Sequence, residues 1–401
     1  MIVNIDFPEK KTIGKFSVLH LGFRPFFIGA SSFAVFAILM WMGVYSLGWP
    51  ISFRHVSPMT WHAHEMIFGY SLAVIAGFLL TAIQNWTGRQ TLHGYPLLLL
   101  FLLWLVARIL PFFGEFVPLI IIAVVDNLFI LLLSLSVLSP LLKAKHWKSV
   151  ALASIVFLLM MSNIVYYLGA FGLVVQGLYY GLYAGLYLIL TLIFIMARRV
   201  MPFFIEKGVG YPVQLKNWTW IDNSHLIVFV LFGIADLMNI HAYLTAGLAG
   251  LLAVMHSIIL IGWHTPGIWK KPLLWSLYLG YIFIVLGFVL KVLVVVSGIS
   301  VYQAIHAFAF GGIGIMTIGM MARVSLGHTG RNVLAPPRSL VWIVALLSCG
   351  AIVRVVFPLI DTSFYLVWIT LAQLFWLLAF AGFLYVYFPM LIYPRTDGRY
   401  G

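Results

Sequence analysis

Charge is what this chain has least of. Asp, Glu, Lys and Arg make up 8% of its 401 residues, against about 25% in an ordinary soluble domain. So few charged side chains cannot clothe a 45.1 kDa surface in water, which excludes a soluble enzyme, a disordered chain and a coiled coil. Cysteine is almost missing too. The single Cys349 rules out disulfides, iron–sulfur clusters and C-x-x-C-H haem attachment. Nor do apolar and polar residues alternate in twos, so a membrane barrel is excluded. The first twenty residues are polar with no cleavable leader in sight, and the first span is expected to serve as its own anchor. Apolar residues are plentiful, at 63% of the chain with a mean hydropathy of +1.09. The chain reads as an all-α polytopic membrane protein, one integral membrane domain over 1–401.

A spanning helix needs about 20 mostly apolar residues. Twelve such stretches are present, near 25–47, 59–83, 95–112, 115–140, 148–168, 172–197, 225–240, 241–263, 273–296, 301–323, 339–358 and 363–389. With a cytoplasmic N-terminus, the inner loops and the N-terminal segment hold 19 of the 23 Lys and Arg, Lys10, Lys11 and Lys15 among them. Only Arg54, Arg108, Lys291 and Arg354 lie toward the other side. That asymmetry predicts both termini on the cytoplasmic face. It also assigns the net charge of +13 to contact with anionic lipid, without nucleic acid. Arg108, Lys291 and Arg354, near span ends, read as snorkelling cations.

The second and tenth spans echo each other. His64–Arg89 and His306–Arg331 coincide without a gap at His, Phe, Gly, Gly, Thr, Gly and Arg. The sixth span lies midway and ends Met196-Ala197-Arg198, as the tenth ends Met321-Ala322-Arg323. Three successive four-helix units, 20–140, 148–265 and 273–390, would account for this. The plainer account is shared membrane-helix composition and a common Thr-Gly-Arg cap.

The most informative segment is Trp61-His62-Ala63-His64-Glu65-Met66, opening the second span. Three ionisable groups within four residues at a membrane boundary are costly and mark a functional site. At about 100° per residue, His62 and His64 point roughly 200° apart. His62, Glu65 and Met66 then share one face, and His64 faces away with Phe68. His306 opens the tenth span at the depth of His64, so the two imidazoles are expected to ligate one haem iron from opposite faces. His62 is the candidate ligand for a second metal, and Glu65 the candidate proton relay. Gly311, Gly312 and Gly314 admit either a flat macrocycle or another helix.

A second group, His20, Arg24, His264, His328 and Arg331, belongs to the cytoplasmic side. Arg24 or Arg331 there is either a bidentate partner for a haem propionate or a snorkelling anchor. His20 or His328 would then be the iron ligand. His256 is the one deep histidine of that region. Asp126, in the middle of the fourth span, suggests a proton route or ion site. Asp236 reads as a helix cap or a water-facing acid.

These segments resemble the NnrS family of bacterial polytopic membrane proteins. The matching stretches are GFRPFF at 22–27, WHAHEM at 61–66, GFLLTAIQNWTGR at 77–89 and RVSLGHTGR at 323–331. MARRVMPFFIEKGVG at 196–210 looks like the family's R-V-x-P-x-F-T-R-N segment, with Ile-Glu-Lys in place of Thr-Arg-Asn. The resemblance implies a twelve-helix protein of the bacterial inner membrane that binds haem and copper and serves the response to nitric oxide. With no attachment motif, one or more haem b groups are expected, and electrons must come from quinol or a separate cytochrome. Twelve helices with histidines in spans two and ten also match the plan of haem–copper oxidase catalytic subunits. The copper site of those enzymes cannot be carried over, because the sixth span lacks histidine and His225 lies at the wrong end of the seventh. Three functional readings follow: a haem and copper protein that binds or reduces nitric oxide, a non-enzymatic binder of nitric oxide or a metal–nitrosyl species, and a multi-spanning transporter.

Overall fold

The computed structural model describes residues 16–401, so Lys10, Lys11 and Lys15 lie outside the described residues. Among those residues there are helices and no strands. Twelve helices are long and apolar enough to cross a membrane. They run Phe23–Tyr45, Pro58–Thr87, Gly94–Phe113, Leu119–Lys143, Trp147–Ala170, Gly177–Gly208, Thr219–Leu237, Ala242–Trp263, Pro272–Ser297, Val301–His328, Ser339–Ile360 and Tyr365–Ile392, numbered here as spans one to twelve. Each expected span is found. The sixth and tenth outrun the apolar stretch because their polar tails, Arg198–Lys207 and Arg323–His328, stay helical.

Spans two and ten share a rare construction. Each begins at a serine whose hydroxyl accepts a main-chain N–H, Ser57 from Thr60 and Ser300 from Tyr302. A short α-helix follows and ends at a histidine, His64 or His306. A π-helical segment comes next, Glu65–Ser71 in one and Ala307–Gly314 in the other, before α-helix resumes. π-Helix is scarce and concentrates at functional sites. Its occurrence at the same point of both segments gives the aligned histidines a structural counterpart. The sixth span is continuous α-helix, so the third member of the expected repeat does not share the construction. The two spans are also the most buried of the twelve, 78% and 72% of their central windows.

The described chain divides into two compact units. One comprises residues up to Gly185 with 321–335 and 380–401; the other comprises 186–320 and 336–379. The expected division into three four-helix units has no counterpart in these boundaries. In the first unit, spans one and two meet through glycines: a Cβ on Gly22 would stand 2.5 Å from Leu80, and one on Gly77 2.8 Å from Phe27. The Phe23 N–H donates to Thr81 Oγ1 at 3.0 Å, so the GFRPFF and GFLLTAIQ stretches are packing partners. In the second unit, a Cβ on Gly311 would fall 2.4 Å from Phe283, on Gly312 2.6 Å from Ile284, and on Gly314 2.8 Å from Trp376. Close helix packing, the second of the two expected uses, occupies these glycines.

Arg24 is fully buried and clamps the end of the chain. Its guanidinium donates to main-chain oxygens of Leu391 and Tyr393, each at 2.8 Å, Met390 at 3.3 Å and Gly401 at 2.6 Å. Tyr400 stacks on His20 with centroids 4.5 Å apart. Arg395 Nε donates to Asp397 at 2.9 Å, and that hydrogen bond holds the Asp397 carboxyl at about 2, below its ordinary 3.8. Hydrogen bonds to a charged group contribute about 1.5–3 kcal/mol each. Arg24→Gln is therefore expected to lower the unfolding temperature in detergent and to open residues 390–401 to protease. The Asp397 contribution is present above pH 3.8 and lost as pH falls through about 2, so tail protection followed by hydrogen exchange should weaken across that window.

Candidate functional site

The first unit holds a network of ionised groups buried across spans two to five. Glu65 Oε2 accepts from Arg108 at 2.7 Å, and the other Arg108 nitrogen is bonded to Asp126 Oδ1. His64 Nδ1 lies 3.1 Å from Glu65 Oε1, and its Nε2 lies 2.9 Å from Asn163 Oδ1 and 3.3 Å from Asp126 Oδ2. Asn163 Nδ2 and the Tyr167 hydroxyl donate to Asp126 Oδ2 at 3.0 and 3.1 Å. His64, Glu65, Arg108 and Asp126 are each no more than 3% exposed.

The hydrogen-bond pattern sets the state of His64. The Asn163 amide nitrogen is committed to Asp126, so its oxygen faces the imidazole. Both ring nitrogens of His64 therefore meet acceptors, and both must donate. His64 sits here as an imidazolium. Two carboxylates, one guanidinium and one imidazolium sum to zero, the condition for keeping four charges at membrane depth.

Local structure supports this arrangement. The π-helix widens the second span at Glu65, and the carbonyl of Met66 is satisfied by the Ser71 hydroxyl at 2.7 Å. Gly69 lies directly under the ion pair: a Cβ there would come within 2.8 Å of Glu65 Oε2 and 3.1 Å of Arg108 Cδ. Trp104 fixes that turn by donating to the Gly69 carbonyl at 3.0 Å. A cavity of about 30 Å³ adjoins the network, lined by Trp61, His64, Glu65, Tyr166 and Tyr167 among others. It has room for about two waters. The Trp61 indole N–H is buried without a partner among the described residues.

The helical wheel misassigned two of these groups. It placed Glu65 with His62 and turned His64 away, whereas Glu65 and His64 are bonded to each other. The π-helical register and the reach of the glutamate explain the difference. His62 instead stacks on Trp41 with centroids 4.7 Å apart. Arg108 is no snorkelling cation, since both its charge partners are buried. Lys291 is likewise paired, with Asp236 at 2.8 Å, and Asp236 also accepts from Tyr187. Arg354 reaches within 3.1 Å of the His306 ring. Asn163 and Tyr167, absent from the sequence expectations, complete the site; a polar residue beside Tyr166-Tyr167 in an apolar run was the signal available.

The remaining expected residues have other surroundings. His306 lies in the second unit, half-buried, its Nδ1 bonded to the Tyr302 carbonyl at 2.8 Å. His20 is stacked on Tyr400, and burial first, then the Arg24 charge, lowers its pKa. His328 lies 5.7 Å from the Phe23 ring and 3.4 Å from Asn85. Arg331 reaches its own Thr329 carbonyl at 3.5 Å, and burial lowers its pKa. A haem iron needs a bare ring nitrogen, which His64 lacks in this arrangement. As bonded here, His64 does not fit an axial role. Arg24 is likewise spent on main-chain oxygens rather than held open for a propionate. Among the described residues no group of three or more His, Cys, Asp or Glu is arranged to hold a metal.

Fold and site together define a class: a twelve-span helical membrane protein with a charge-balanced ionic centre buried beside a water-sized cavity. The chain matches the family model described as NnrS protein over residues 17–395, and it belongs to that family. No curated protein matches it.

Removing one partner of a buried ion pair costs about 3–5 kcal/mol, because the other charge is left uncompensated. Arg108→Met is expected to lose that much stability in detergent unfolding, and adding Asp126→Asn to it should restore part. Additive losses in the two variants would show that Arg108 and Asp126 are not coupled.

Proposed function

We propose that this NnrS-family protein handles nitric oxide in the bacterial inner membrane together with haem and copper, and that the His64–Glu65–Asp126 network is its proton-holding centre. One observation carries this reading: an imidazolium held between carboxylates beside a cavity of about 30 Å³. Joining two nitric oxide molecules into nitrous oxide and water consumes two electrons and two protons. The electrons come from an external donor, quinol or a cytochrome, and the termini face the cytoplasm. Protons are this site's part. When His64 gives up its proton the network carries a net charge of −1, and the low dielectric around it makes refilling favourable. Glu65 lines the cavity and bonds the ring, so it is the group through which the proton passes.

The test is nitric oxide consumption by the purified protein in vesicles with a quinol reductant. Glu65→Gln keeps the shape and loses the titratable group; it is expected to slow turnover at least tenfold, within the range for a general acid or base. His64→Gln should do the same while leaving haem absorbance in place, because the ring nitrogens are already committed. Stoichiometric uptake without turnover would instead make the protein a binder of nitric oxide. Unchanged turnover in both variants would remove the proton role.

A further inference from the structure

His225 and His256, in spans seven and eight of the second unit, belong to none of the chemistry above. They are 2% and 0% exposed, with ring centroids 5.5 Å apart and planes at 86°. Each ring is pinned through Nδ1: His225 to the Ile221 carbonyl at 2.9 Å, His256 to the Tyr281 hydroxyl at 2.7 Å. A carbonyl only accepts, so His225 carries its proton on Nδ1 and a bare lone pair on Nε2. In both residues Nε2 is buried and has no hydrogen-bond partner among the described residues. Two buried ring nitrogens left unsatisfied at once, inside the second unit, call for a ligand.

We propose that His225 and His256 bind one monovalent copper ion through their Nε2 atoms. At about 2.0 Å from each nitrogen, two imidazoles sharing a metal hold their centroids roughly 5 to 6.3 Å apart as the bond angle opens from tetrahedral to linear. The observed 5.5 Å lies inside that range. It falls short of the linear value that a haem between two histidines requires. Zinc asks for four ligands, or three and a water, and among the described residues no group of three or more His, Cys, Asp or Glu is arranged to hold a metal. Charge points the same way. The nearby Asp222 is paired with Arg198, so the surroundings are neutral and a dication would bring twice the uncompensated charge. Phe194, stacked on His256 at 4.4 Å, and Phe288, at 5.7 Å, give the ion an aromatic, water-poor shell. The hydrogen bonds at Nδ1 orient both rings as metal-bound histidines are oriented, and no proton leaves on binding because His256 Nδ1–H then donates to Tyr281.

The site does not rest on the proton role of His64, and its test involves no nitric oxide. Full-length protein in detergent, stripped of metal, is titrated anaerobically with Cu(I) against a coloured Cu(I) chelator. Wild type should take up one ion, with a nitrogen-only shell by X-ray absorption. His225→Ala and His256→Ala should weaken binding by more than the roughly 100-fold that loss of an outer-shell partner costs, while His64→Gln retains it. His256→Met keeps volume and a soft donor, so it should hold copper with one sulfur at about 2.3 Å. That variant decides the matter if the alanine forms fail to fold. A wild type that takes up no Cu(I), or a His256→Met spectrum without sulfur, overturns the proposal.

Discussion

Arg108 is the constraint on which the first unit depends. It brings a positive charge to a buried position, and Glu65 and Asp126 make that tolerable. Everything around it follows from holding two carboxylates on one guanidinium. The π-helix sets Glu65 at the required angle, Gly69 leaves space beneath the pair, and Trp104 holds the turn. Asn163 and Tyr167 take up the lone pairs of Asp126 that Arg108 leaves over. His64 closes the balance as the second cation. A single neutral substitution would leave a net charge in the membrane interior.

The likeness between spans two and ten extends past the histidines. In each, the span that follows supplies a buried arginine, Arg108 after His64 and Arg354 after His306. The chemistry differs where Ala307 replaces Glu65. Without that carboxylate, Arg354 meets the ring itself, and His306 accepts at Nε2, 3.3 Å away, where both ring nitrogens of His64 donate. One construction thus supports a proton-rich centre in one unit and a simpler cation–imidazole contact in the other.

The two units also divide polar chemistry by kind. In the first, every ring nitrogen of His64 is a donor among acids. In the second, His225 keeps a lone pair and both it and His256 leave Nε2 without a hydrogen-bond partner among the described residues, amid aromatic rings and with Asp222 neutralised by Arg198. Acids favour protons, and an apolar aromatic shell favours a soft ion of low charge. The difference comes from what surrounds each imidazole, since histidine is common to both.

By itself the sequence determined the twelve spans, because hydrophobic length is a local property that needs no partner. It also marked the second span at His62–Glu65, since ionisable groups at a membrane boundary stand out against an apolar background. It aligned His64 with His306, and the π-helices sit at that alignment. Partners were decided elsewhere. Arg108, Lys291 and Arg354 look alike in a linear chain, each a lone cation near the end of an apolar run. Snorkelling and ion pairing differ only in whether another helix presents an acid or a ring, and that depends on packing between residues 43, 55 and 48 positions apart. The same holds for Asn163 and for the His225–His256 pair. The pairing of His64 with Glu65 was hidden for a different reason: the wheel assumes α-helical register, and the chain abandons it at Glu65 to seat one guanidinium between two acids.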